Sequence, residues 1–494
     1  MFGLLKDIYD SMGAYVSSSS GNQDLHSIRL NRKCTPYFHH LRADQRNSQE
    51  PTVESQYFEF WDLLILPIYL LLTFGIAYTV APRDDRRLFM WAMALRMGGA
   101  LFFASIYLFY YKGGDTLAYY QTAKPFVSLF FDRPGEAFRA LFSPYSEEAY
   151  SLFNANTGYP LRYIYADPQT YTVSRLITPI LFLSFNRYLA ATVILSAVSI
   201  IGPWKLYVLF KDAFPDRRIA AISALFVPSV LFWGAGISKD TVTLASAAYI
   251  VYAFYFIVVK RNFSITRLIG ASVALYFLLA IKPYIFLVLL PGILLWLLSA
   301  PVSRLKNKFL RRFAVPIIAL ASSLIFVLVF QQLGDLLGEY GAEQIIEKAL
   351  ITQEDLKRDY YGGNTFDIGE VDPSFIGVLS KFPIATFYGL YGPTLLDVRN
   401  IVMLFSALEN TILLALTLMI IFNFKIRRLA NNMLDSPILT FCLVFSLLFA
   451  FSIGFTTPNY GAMVRFKIPL LPFFVFYLLV INQMRRSKKT QIKE

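Results

Sequence analysis

Charge is scarce in this sequence. Of 494 residues only 16% are Asp, Glu, Lys or Arg, where a soluble globular chain carries about a quarter. The hydrophobic fraction is 56% and the aromatic fraction 17%. These values exclude a soluble enzyme and a disordered or fibrous chain. Histidine and cysteine are scarcer still. His26, His39 and His40 all precede the first long apolar run, so no histidine-based catalysis or proton relay is expected inside a membrane. Cys34 lies in a polar segment and Cys442 in an apolar one. Two thiols so differently placed give neither a disulfide framework nor a zinc spacing.

What the chain does have is long apolar runs. They cover 60–81, 88–111, 187–210, 217–235, 241–259, 266–281, 284–300, 313–331, 401–424, 437–455 and 467–483. A helix needs about 20 apolar residues to cross a bilayer. The runs are continuous rather than alternating, which excludes a barrel. The expectation is an all-α, polytopic membrane helix bundle of about 11 spans. Residues 1–58 form a polar N-terminal extension, 59–484 the bundle, and 485–494 a basic tail. An amphipathic interfacial helix is expected over 1–16.

Half of the 46 basic residues fall in short loops on alternate sides of the runs, such as Arg83, Arg86 and Arg87, or Lys260, Arg261 and Arg267, and in the tail. The positive-inside rule places these in the cytoplasm, with the C-terminus. The net charge of +13 is thus a topology signal and a contact with the lipid bilayer, not a nucleic-acid surface. The two long connections, 112–175 and 332–400, then face outward. The second carries eleven acids against five bases. Loops of that length are usually structured and functional. Within the first, 125–142 reads as two short amphipathic helices broken at Pro134. Within the second, 373–399 reads as a re-entrant or surface-lying segment.

The few charges that break the pattern are the candidate site residues. In YKGGDTLAYY, Asp115 follows Gly113-Gly114 at the mouth of the bundle. Its carboxylate suits a general base on an acceptor hydroxyl, or a divalent-metal ligand that nothing in the sequence requires. The plainer reading is a helix cap. Tyr119 and Tyr120 suit stacking on a sugar or an aromatic belt. In WGAGISKD, Lys239 suits a lipid phosphate with Asp240 orienting it; the alternative is again a cap. Lys282 in AIKPYIF and Arg465 and Lys467 in PNYGAMVRFK are basic residues on the outer side. Snorkelling is the bland alternative, but Arg is also the natural bidentate phosphate ligand. Asp397 and Arg399 precede the 401–424 run, and Glu409 lies inside it, wanting a basic partner or a wet cavity. Acids on the outer loops, cations at the outer helix ends and many aromatics together suit an anionic lipid-linked substrate.

The runs GGDTLAYY, FWGAGISKDTVTL, IKPYIFLVLLPGILLW and TTPNYGAMVRFKIPLLPFF resemble a family of multi-spanning proteins found with bacterial envelope polysaccharide genes, especially in Bacteroidota. More distantly the arrangement resembles the GT-C glycosyltransferases. The resemblance covers roughly 60–480 and implies a polyprenyl-phosphate-linked sugar as donor, the bacterial cytoplasmic membrane as location, Asp115 as base, and Lys239, Lys282, Arg465 and Lys467 as phosphate contacts. The acidic motif here follows the second run rather than the first, and is a single Asp rather than an acidic pair. Three other readings remain. A polymerase or ligase of lipid-linked oligosaccharides would rely more on Arg399 and Arg465. A transporter or flippase would show repeats and broken helices near the midplane. An assembly subunit would need none of these residues.

Overall fold

The computed structural model describes residues 57–302, 345–357, 364–372, 374–423 and 436–491, with isolated positions between 314 and 325. The interfacial helix expected over 1–16, most of the apolar run 313–331 and the basic residues at 425–428 lie outside the described residues. The chain divides into two compact units, Met1–Glu59 and Phe60–Glu494. The second contains the candidate site and is all-helical among its described residues, apart from one isolated bridge between Thr365 and Asn459.

Apolar composition dictates the long helices. Helix α1 spans Asp62–Val80, and its Leu63, Leu64, Ile68, Leu71, Leu72 and Ile76 are exposed. So large an apolar surface suits hydrocarbon rather than water. Helix α2, Arg86–Ser105, continues as a π-type turn to Tyr110. Six stretches are long and apolar enough to cross a membrane: Asp62–Val80, Arg83–Tyr110, Tyr188–Ala213, Lys239–Val259, Ile401–Asn423 and Pro437–Thr456. They are consistent with a multi-pass membrane protein.

Several expected runs are divided, and the residues explain where. The run 217–235 is two short helices, because Pro228 begins a new one. The residue before a proline is pushed out of the helical region, and Val227 is extended (ψ 121°). The run 467–483 belongs to a pair, Tyr460–Phe466 and Leu471–Arg485, bent by 71°.

The first long connection is folded, as expected for its length. Helix α3 spans Asp115–Asp132 and α4 spans Pro134–Phe142, broken at Pro134 as the sequence indicates. Two short helical turns lead to α5, Pro168–Leu183. Together they enclose a small core of Phe126, Leu129, Ala140, Phe153, Tyr165 and Tyr171.

Besides a short helical turn at Phe375–Ser380, the remaining helices are α6 (Tyr188–Ser199), α7 (Ile201–Ala213), α8 (Arg217–Leu225), α9 (Pro228–Trp233), α10 (Lys239–Phe254), α11 (Ile265–Ile281), α12 (Pro283–Val302), α13 (Ile345–Leu356), α14 (Phe382–Tyr391), α15 (Ile401–Asn423), α16 (Pro437–Thr456), α17 (Tyr460–Phe466) and α18 (Leu471–Gln491). Helix α14 has only ten residues, about 15 Å, too short to span. It lies tightly on α16 because Ala385 and Gly389 meet Ala450 and Gly454. A methyl at Gly454 would run into the Ala385 carbonyl, and one at Gly389 into that of Ala450. Small residues four apart on both partners are how membrane helices reach so close.

The two interrupted elements leave backbone groups that need partners, and α15 and the α17–α18 elbow supply them. Glu409 Oε2 accepts the Ser229 N–H of α9 at 2.8 Å. Beyond α14, the carbonyl of Gly392 accepts from Asn410 Nδ2 at 2.8 Å and Lys467 Nζ at 3.0 Å, and the Pro393 carbonyl accepts from Asn410 at 2.9 Å. An acid at a helix start and a cation at a helix end both match the peptide dipoles. Irregular backbone at membrane depth survives only where protein satisfies it in this way.

Candidate functional site

Four helix junctions converge at one end of the bundle. It is the end away from Arg83–Arg87 and Lys260–Arg261, since α2 and α10 run from one to the other in opposite directions. The start of α3 brings Asp115, the start of α10 brings Lys239 and Asp240, the α11–α12 junction brings Lys282, and the last turn of α17 brings Arg465.

Gly114 precedes α3 at φ 108° and lies against the Tyr107 ring, which a Cβ would strike. A side chain at this position would meet both obstacles, so glycine is required. Asp115 is the first residue of the helix, and no described backbone N–H donates to its carboxylate. It does not act as the cap. Its Oδ2 accepts from Arg465 Nη2 at 3.0 Å, and its side chain is 55% exposed.

Arg465 reaches inward as well. Its Nε lies 3.5 Å from Asp240 Oδ2 but makes no hydrogen bond. Asp240 Oδ1 in turn accepts from Lys282 Nζ at 2.5 Å. Here the side chains are 1% and 8% exposed. The Lys282 ammonium also sits 4.1 Å from the Phe466 ring centroid, and the Arg465 guanidinium 5.9 Å from that of Trp233. The result is a chain of alternating charge, Asp115–Arg465–Asp240–Lys282, passing from an exposed carboxylate to a dry ion pair. Ion pairs in low dielectric persist only when each charge is compensated.

Lys239 belongs to a neighbouring pair. Its Nζ donates to Thr170 Oγ1 at 2.6 Å and lies 3.6 Å from Asp167 Oδ2. Asp167 also caps α5, accepting the N–H groups of Gln169 and Thr170. Tyr119 is buried beside the cluster, and burial first, then the Asp115 charge, pushes its hydroxyl well above the usual range. It stays a neutral hydroxyl rather than a base.

Of the residues singled out in the sequence, Asp115, Asp240, Lys282 and Arg465 form one connected chain, with Lys239 and Tyr119 nearby. Tyr120 lies elsewhere, donating to the Asn186 carbonyl at 2.6 Å. Lys467 is fully buried against Gly392 and Asn410, in the backbone-satisfying role described above. Asp397 caps the turn at Thr394. Tyr107, Asp167 and Thr170 were not foreseen. The Asp-Pro pair at 167–168 carries a helix-start signature, but its meeting with Lys239 is purely tertiary.

The strand-like bridge fixes the segment bearing Arg465. Phe366 N–H donates to the Pro458 carbonyl at 2.9 Å and Tyr460 N–H to that of Asn364 at 3.0 Å. Phe366 stacks on Tyr388 and packs against Tyr460. The second long connection is thereby stitched to the start of α17.

Among the described residues, no three Asp, Glu, His or Cys side chains gather in a group that could hold a metal ion. No protein-family model, curated protein or solved structure matches this chain.

Proposed function

We propose that this chain is a membrane glycosyltransferase of GT-C-like type. It would move a sugar from a polyprenyl-phosphate donor to an acceptor at the outer face of the bacterial cytoplasmic membrane, in envelope polysaccharide or glycoconjugate synthesis, with its C-terminus in the cytoplasm. The observation that carries the reading is the Asp115–Arg465 pair. An accessible carboxylate meets a largely buried guanidinium at the mouth of an apolar bundle, which is where a lipid's polar head would arrive.

In this reading the acceptor oxygen forms a bond to the anomeric carbon as its proton passes to Asp115. The bond from that carbon to the phosphate oxygen breaks, and the electron pair leaves with the phosphate. Arg465, with Lys239 and Lys282 near it, stabilises that charge. Asp240 holds both Arg465 and Lys282 in position.

The polymerase or ligase reading relies more on Arg399 and Arg465, and of these Arg465 pairs with Asp115, the residue that reading needs least. Transport without chemistry draws on the interrupted helices near Glu409 and Lys467. Those helix ends, however, are already met by protein groups.

The test is transfer from polyprenyl-phosphate sugars by the purified chain in proteoliposomes. Asp115→Asn is expected to lower transfer about 100-fold or more, the usual weight of a general base. Undiminished transfer would remove Asp115 from the chemistry. Counterflow of a lipid-linked sugar without product would establish transport instead.

A further inference from the structure

Arg465 has one guanidinium and two carboxylates, and those two are not equivalent. Asp240 is 1% exposed and pinned by Lys282 at 2.5 Å. It has nowhere to go. Asp115 is 55% exposed, follows Gly113-Gly114, and has Arg465 as its only described ion-pair partner. That one contact holds its carboxylate. A guanidinium carries five N–H donors, and here Nη2 serves Asp115 while Nε has no hydrogen bond at all. Arg465 is therefore backed by Asp240, 3.5 Å from its buried Nε, and engaged in front by one displaceable carboxylate oxygen.

We propose that the substrate phosphate and Asp115 compete for Arg465, so that Asp115 is released as a free carboxylate only when a phosphate has taken its place. This rests on the functional reading above and adds an order of events to it. A phosphate offers more charge than a carboxylate and accepts from Arg in a bidentate fork. On arrival it takes the face of Arg465 that Asp115 held. Until then the Oδ2 oxygen of Asp115 is engaged by Nη2 and is not available to an acceptor hydroxyl. The exchange also solves a charge problem. The resting chain pairs two acids with two bases, and a phosphate added without displacing anything would leave surplus negative charge beside buried Asp240. Moving the one exposed carboxylate out into water relieves it.

The consequence is unusual in sign. Removing the charge of Asp115 should abolish transfer yet strengthen phosphate binding, whereas loss of a merely structural ion pair would weaken both. The experiment uses the full chain in nanodiscs. Binding of farnesyl phosphate, farnesol and inorganic phosphate is measured by titration calorimetry, with the fluorescence of Trp233, beside Arg465, as a second readout. Asp115→Asn and Asp115→Ala are both expected to bind farnesyl phosphate about 3- to 5-fold tighter than the unmodified chain, the scale of a partly exposed ion pair. Arg465→Gln is expected to lose the binding and the tightening together.

If inorganic phosphate tightens equally, the exchange holds and the ligand is phosphate as such. If only farnesyl phosphate does, the exchange holds and the ligand is a lipid headgroup. Equal or weaker binding in both Asp115 variants overturns the proposal, as does farnesol binding as well as its phosphate. Tightening in the Asp115 variants, with no transfer by the unmodified chain, would sink the glycosyltransferase reading and leave the exchange standing. Transfer without tightening would do the reverse.

Discussion

Replacing Lys282 by Met should destabilise the fold more than replacing both members of its ion pair. Lys282 and Asp240 are 8% and 1% exposed and 2.5 Å apart. Taking one charge from a buried pair costs about 3–5 kcal/mol, since the other stays desolvated. Here Arg465 Nε stands 3.5 Å away and can close on the orphaned Asp240. A hydrogen bond to a charged group returns about 1.5–3 kcal/mol, so a net loss centred near about 2 kcal/mol remains for Lys282→Met. Asp240→Asn strands Lys282 instead, with the Phe466 ring at 4.1 Å as partial compensation worth about 0.5–2 kcal/mol. Asp240→Asn with Lys282→Met together leaves no unpaired charge and should cost less than Lys282→Met alone. The assay is a double-mutant cycle on reversible unfolding in mixed micelles. A coupling of about 2 kcal/mol is expected. If the two single losses add to within about 0.5 kcal/mol, the pair is not a dry, mutually dependent one and the picture of a rigidly backed Arg465 fails.

Further outcomes follow from the interrupted helices and the buried tyrosine. Glu409→Gln keeps an oxygen for the Ser229 N–H and should cost under about 1 kcal/mol, while Glu409→Leu orphans that N–H and should cost about 1–3 kcal/mol in the same unfolding assay. Lys467→Met should destabilise by more than about 1 kcal/mol with farnesyl phosphate affinity unchanged, because its partners are Gly392 and Asn410. Gly454→Val should abolish folded, monodisperse protein on size exclusion, because its side chain would overlap the Ala385 carbonyl. Tyr119 holds its proton in the folded state beyond the ordinary value of 10.0, so its contribution is fully present below that pH and is lost as pH rises above it. Tyr119→Phe should flatten the decline of stability above about pH 10.

The helical class was legible because continuous apolar runs leave a membrane chain little else to form. The run at 60–81 became α1 nearly as drawn, and Pro134 broke its segment where its sequence position said it should. The run at 217–235 misled because apolarity hides a break. Only Pro228 marks it, and a proline inside a membrane helix is often tolerated. The candidate site was legible in part for one physical reason: a charge at the less basic end of an apolar helix must find a partner. That logic brings Asp115, Asp240, Lys282 and Arg465 to one place. It cannot say which partner, so Lys467 looked equivalent to Arg465 two residues away. The structure separates them by what each faces: Arg465 meets two carboxylates, while Lys467 meets the carbonyl of Gly392 at the end of a helix that falls short of spanning. Such a short helix, held by glycines across α16, leaves no signature beyond Gly and Pro among aromatics. The pairing of Lys239 with Asp167, 72 residues earlier in the chain, leaves none at all.

The most direct test of the account is a cryo-electron microscopy structure of the chain in nanodiscs with farnesyl phosphate bound. The account predicts phosphate density within hydrogen-bonding distance of Arg465, the Asp240–Lys282 pair intact behind it, and the Asp115 carboxylate turned away from the guanidinium. Phosphate density remote from Arg465, or a bound phosphate with the Asp115–Arg465 pair still closed at 3.0 Å, would contradict it.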